Sequence, residues 1–216
     1  MAIRFALAFT FAAVTLTAQP SVPRRLDQAL ESLQRFRYTA QPQLLEDARR
    51  NLAEAAKLDP GHFFLRKLQA WSELLGGNHE KALQLAGILN RQVPDDVEIY
   101  GYLAECHIAL GDIQEAERQV QWMLRLRPQH HESMRLTAIL RERLGDADGA
   151  IFTLNDLYQV TSASEPLRRA WILARIARLT AKTNPERAAK LARKALETAP
   201  EAAEAIAIAS KLLAKE

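Results

Sequence analysis

The stretch PDDVEIYGYLAECHIALGDIQEAERQVQWMLRLRP, residues 94–128, decides the fold. Two prolines bracket two helical patterns, and Leu110-Gly111-Asp112 interrupts them midway. The same punctuation recurs on both sides. Pro60, Pro94 and Pro128 are spaced 34 residues apart, as are Ala48, Ala82, Ala116 and Ala150. After a four-residue insertion the frame resumes at Pro166, Ala188 and Pro200. A fixed period of this length means that one supersecondary unit is stacked on copies of itself.

Working outward, the apolar spacing predicts helix pairs. First helices run over about 62–75, 96–109 and 130–143, and second helices over about 79–92, 113–126 and 147–160. The turns between them carry Gly76-Gly77-Asn78, Gly111-Asp112 and Gly145-Asp146. A glycine can close a helix in the left-handed conformation, and the following Asn or Asp can cap the next one. Thr161 to Glu165 reads as an enlarged loop, followed by helices over about 167–181 and 185–198. Upstream, Leu26, Leu30 and Leu33, continued by Phe36 or Arg37, form a helical stripe that ends at Gln41-Pro42. Leu44, Leu45, Ala48, Leu52, Ala55 and Ala56 form the next stripe, which Asp59-Pro60-Gly61 stops. Residues 201–214 form one more helix, with Ala202, Ala205, Ile206, Ala209, Leu212 and Leu213 on the face that would cap the stack.

Composition narrows the classes. In 216 residues about half are hydrophobic and a quarter charged, which is globular. The net charge of +3 is too mild, and too interleaved with acidic residues, to indicate nucleic acid. The arginines at 118, 125, 127, 135, 141 and 143 read as a solvated face. Cys106 is the single cysteine, so no intramolecular disulfide forms. Residues 1–18 differ from the rest. Arg4 precedes an uncharged apolar run from Phe5 to Leu16, then small residues before Gln19-Pro20. That is the pattern of a secretory signal peptide, shorter than the roughly 20 residues of a membrane span. The expected home is the periplasm or another exported location after cleavage. If the segment is retained, the chain is anchored to the inner membrane.

The unit 97–130 carries a family resemblance. Tyr100, Leu103, Ala104, Gly111, Ala116, Val120, Met123 and Pro128 stand where the tetratricopeptide repeat (TPR) family has its large, leucine, small, turn-glycine, alanine, large, small and proline positions. His107 stands at a usual tyrosine; Glu73 and Arg141 occupy usually aromatic positions. Ala104 with Ala116, Ala138 with Ala150, and Ala70 with Ala82 supply the small residues that close helix crossings require. The chain thus resembles an exported bacterial TPR protein. The resemblance implies an all-α, right-handed solenoid over residues 29–202. Its five repeats would be 29–62, 63–96, 97–130, 131–168 and 169–202. Residues 19–28 would form a linker and the start of the first helix, and residues 203–216 the rest of a capping helix.

The resemblance also implies a concave groove lined by first helices, with Phe64, Lys67, Trp71, Glu98, Glu105, Arg135, Ile139 and Arg143 turned towards it. Phe64 and Trp71 would anchor an apolar group, and Arg135 with Arg143 would hold a carboxylate. Trp71 reads equally well as core. Lys67 matches one position of the family's carboxylate-clamping subset, but Trp71 and Tyr102 stand where asparagines are needed, so that specificity is not expected. Nothing suggests catalysis, a cofactor or a metal. No histidine pair has i,i+4 spacing, and Cys106 and His107, adjacent on a helix, do not face each other. The expectation is a non-catalytic scaffold for a protein or peptide partner in cell-envelope assembly or secretion. The alternative is a membrane-anchored accessory subunit of an envelope enzyme or transporter. No oligomeric state follows from the pattern.

Overall fold

The computed structural model describes residues 21–214, so the expected export segment lies outside the described residues. Eleven α-helices and no strands are present among the described residues. Five antiparallel pairs follow one another: α1 (Val22–Thr39) with α2 (Pro42–Leu58), α3 (Phe63–Leu75) with α4 (His79–Gln92), α5 (Val97–Leu110) with α6 (Ile113–Leu126), α7 (His131–Arg143) with α8 (Ala147–Val160), and α9 (Pro166–Thr180) with α10 (Pro185–Thr198). The final helix, α11 (Ala203–Leu213), packs on α9 and α10. The fold is an α-solenoid of helix pairs closed by a terminal helix.

The periodic residues do what their sizes allow. Ala70, Ala82, Ala104, Ala116, Ala138 and Ala150 are all buried where paired helices cross. Gly111 ends α5 at φ +85°, and Gly145 repeats this after α7 at φ +84°, conformations that a Cβ would oppose. Asp112, Asp146 and Asn184 then cap the next helix, each accepting one backbone N–H. Asn78 departs from this pattern. Its side chain instead donates to Glu73 at 2.6 Å, the acidic residue standing at a usually aromatic position.

Three differences from the sequence reading bear on the site. First, α1 begins at Val22, inside the expected linker, because Leu26 and Ala29 continue its buried stripe. Second, Ile206 is exposed and Ile208 is buried in its place, while Ala202, Ala205 and Ala209 face the stack as expected. Third, the four-residue insertion is mostly helix rather than loop. α7 opens 19 residues before Ala150, but α9 opens 22 before Ala188, one turn earlier. That additional turn, Pro166–Arg168, changes the packing. No Cα of α9 comes within 8 Å of α7, whereas α9 does approach α1 that closely. The first and last pairs therefore meet across the inner face.

Candidate functional site

The first helix of every pair contributes to one inner-face cavity of about 520 Å³. Its aromatic wall is Phe64, Trp71 and Tyr102. The Trp71 and Tyr102 rings lie nearly parallel, 6.1 Å between centroids, and Trp71 is only 7% exposed. Both readings of Trp71 thus describe one residue, which is packed in the core and presents part of its surface to the cavity. Burial, followed by the nearby charge of Glu98, pushes the Tyr102 hydroxyl well above the usual phenol range. The ring stays neutral.

A four-charge cluster adjoins the aromatic wall. Arg37, in the last turn of α1, forks between two helices: Nη1 donates to Glu132 at 2.6 Å and Nη2 to Glu105 at 2.8 Å. Arg135 Nε donates to the same Glu132 oxygen at 2.7 Å. Arg135 Nη2 stands 2.6 Å from Glu105 but off the hydrogen-bond direction, so that contact is electrostatic. The Arg37 guanidinium also lies over Trp71, 5.0 Å from the ring centroid. Burial opposes the charges of Arg37, Arg135 and Glu132, but the mutual attraction outweighs it. Arg37 and Arg135 are held above the usual guanidinium value, and Arg135 and Arg37 hold the Glu132 carboxyl well below the usual carboxylate range.

The added turn of α9 completes the enclosure. Arg168 Nε donates to the Tyr38 hydroxyl at 3.3 Å, and its Nη1 meets His131 Nδ1 and Glu165. His131 Nε2 lies 3.3 Å from the Val160 carbonyl. An imidazole that donates there and accepts from Arg168 is the neutral tautomer protonated at Nε2.

The expected groove residues therefore divide. Phe64, Trp71, Glu98 and Glu105 line the cavity together. Lys67 and Arg135 stand behind it as ion partners, with Lys67 Nζ 2.6 Å from both Asp96 and Glu98. Ile139 is half-buried in packing between hydrophobic clusters, and Arg143 is exposed on the last turn of α7. Arg37, Tyr38, Glu132 and Arg168 join the site without standing among the expected groove residues. One sequence signal points to Arg37: it continues the Leu26-Leu30-Leu33 stripe, a charge on an apolar face. Among the described residues, no group of three or more His, Cys, Asp or Glu side chains is placed to hold a metal ion. No helix among the described residues is long and apolar enough to cross a membrane.

Residues 73–133 match the family model described as tetratricopeptide repeat. Over that span the chain is a tetratricopeptide repeat (TPR) sequence. The match covers the end of α3 through the start of α7, and the remaining pairs continue the same architecture. No curated protein matches this chain in sequence. Solved structures do match in fold. A thermophilic TPR protein from Thermus thermophilus superposes with a TM-score of 0.70 at 19% identity, over 88% of this chain and 99% of that one. Yeast Tom70 gives 0.60 at 15% identity, over 91% of this chain and 40% of its own. YrrB, described as a TPR protein with an unusual peptide-binding site, gives 0.51 at 15% identity, over 88% and 92%. At these identities the likeness is one of fold.

Proposed function

We propose that this TPR protein is a non-catalytic scaffold that holds a protein or peptide partner at its inner face, in cell-envelope assembly or secretion. The observation that carries the reading is the cavity itself, lined by Tyr38, Phe64, Trp71 and Tyr102 and ringed by carboxylates and arginines. YrrB, similar in fold, is described as having an unusual peptide-binding site, which supports peptide binding as a use of this fold. The envelope setting rests on residues 1–18, whose charge and apolar run suit export and removal.

A crosslinked pull-down of the full-length protein from its native source, with intact mass read on the recovered chain, tests both parts. The groove variant should alter exposed lining residues such as Gln34 and Glu98, because Trp71 and Arg135 are buried. Defined proteins recovered with wild type and lost with Gln34→Trp plus Glu98→Arg support the scaffold reading. Recovery unaffected by that variant removes the inner face from it. An intact mass lacking residues 1–18 supports export with cleavage, and their retention favours an anchored subunit.

A further inference from the structure

We propose that the inner face recognises an arginine side chain of its partner, and that Arg37 holds that place in cis until the partner arrives. This deepens the scaffold reading and rests on it. The receptor is already assembled. Glu105 and Glu132 present carboxylates to the two Nη atoms of one guanidinium, and Trp71 offers its ring face to the same group. Planar forked donation with aromatic stacking suits a guanidinium and not an ammonium. The charge count points the same way: with Arg37 withdrawn, two half-buried carboxylates face Arg135 alone, one cation short.

The occupant is exchangeable by its placement. Arg37, Glu105, Glu132 and Trp71 all line the cavity, so the site can be reached from within it. Arg37 lies in the last turn of α1, close to its end at Thr39. The helix closes at Ala40, the one non-glycine residue at positive φ (52°) among the described residues. Arg37 Nε is buried without an acceptor, so the resident arginine uses only part of its donor set.

The test uses the wild-type protein with acetyl-glycyl-arginyl-glycinamide and its citrulline analogue, which has the same shape without the charge. The Arg37 Nε–Hε signal in an arginine-labelled NMR spectrum reports occupancy, because a buried N–H exchanges slowly with solvent. The arginyl peptide should shift or broaden this signal in a saturable manner, and the citrulline peptide should not. In Arg37→Ala, binding of the arginyl peptide should tighten at least about tenfold over wild type, corresponding to about 1.4 kcal/mol. Should that variant fail to fold, Arg37→Lys decides, since its ammonium fills the place without forking; there the arginyl peptide should bind more tightly than to wild type. Equal binding of both peptides, or no gain in whichever folded variant decides, overturns the proposal. Partner recovery that still depends on the groove variant would leave the scaffold reading standing in that event.

Discussion

Arg37 and Glu132 are 95 residues apart in the chain and meet at 2.6 Å. Through this pair the first helix is fastened to the fourth repeat rather than only to its sequence neighbours. A linear solenoid has only neighbour-to-neighbour interfaces. This one has a long-range polar lock across its inner face, with Glu105 and Arg135 as its other half. Removing one member of a buried pair leaves a charge without compensation, which typically costs about 3–5 kcal/mol. Arg37→Ala should accordingly lower the urea midpoint strongly. Arg37→Ala combined with Glu132→Gln should recover part of the loss, because it removes the stranded charge along with the pair. A single variant indistinguishable from wild type would show that the cluster contributes nothing to stability.

Acid should release the same lock. The Glu132 carboxyl lies well below the usual carboxylate range in the folded state: burial works against its charge, and Arg135 and Arg37 overcome it. A depressed folded pKa stabilises the native state above the unfolded value, near about 4.3 for Glu. That contribution is lost as pH falls from there towards the folded value. Thermal stability should therefore stay level from neutral pH to about 5 and decline below about pH 4. Glu132→Gln should start lower and show a shallower acid decline. An equally steep decline in that variant would assign the acid sensitivity to other carboxylates.

The repeat frame is legible in the sequence because it rests on residues whose size or backbone geometry is decisive. Small alanines at helix crossings, turn glycines and Asp caps repeat at a fixed interval, and the helices of the central pairs fall within about two residues of the expected bounds. The aromatic wall follows from the same frame. The ring-like closure does not, since period and face assign a residue to a helix side without saying which distant helix comes to meet it. The insertion before Pro166 reads as loop because Thr161 to Ser164 is small and polar, yet most of the added length is the turn that carries Arg168. Arg135 reads as a free clamp for the same reason. Its partners lie on α5 and on its own first turn, and the α1 arginine sharing them arrives from outside the local repeat pattern.

If the added turn of α9 is what closes the inner face, Arg168→Ala should open it without unfolding the stack. The variant loses the contacts to Tyr38, His131 and Glu165 together. Native-state hydrogen exchange should speed up about tenfold, about 1.4 kcal/mol of local opening, in the last turn of α1 and the first of α9. The α3–α6 segment should be unchanged. Uniform acceleration across all pairs would mean that the clasp supports global stability and is not a local closure.

Cys106 provides a probe of opening that needs no mutation. It is fully buried on α5, and burial, reinforced by the charges of Glu105 and Glu80, pushes its thiol up to about 12. The thiolate is the reactive form, and an unfolded cysteine titrates near about 8.5. At about pH 8 the folded thiolate fraction is thus lower by about three orders of magnitude, before steric exclusion is counted. Labelling by a disulfide reagent should be negligible on the timescale in which urea-unfolded protein reacts to completion. Arg37→Ala, which removes the hydrogen bond to the adjacent Glu105, should speed labelling in proportion to its loss of stability. Rapid labelling of the native wild type would contradict the burial.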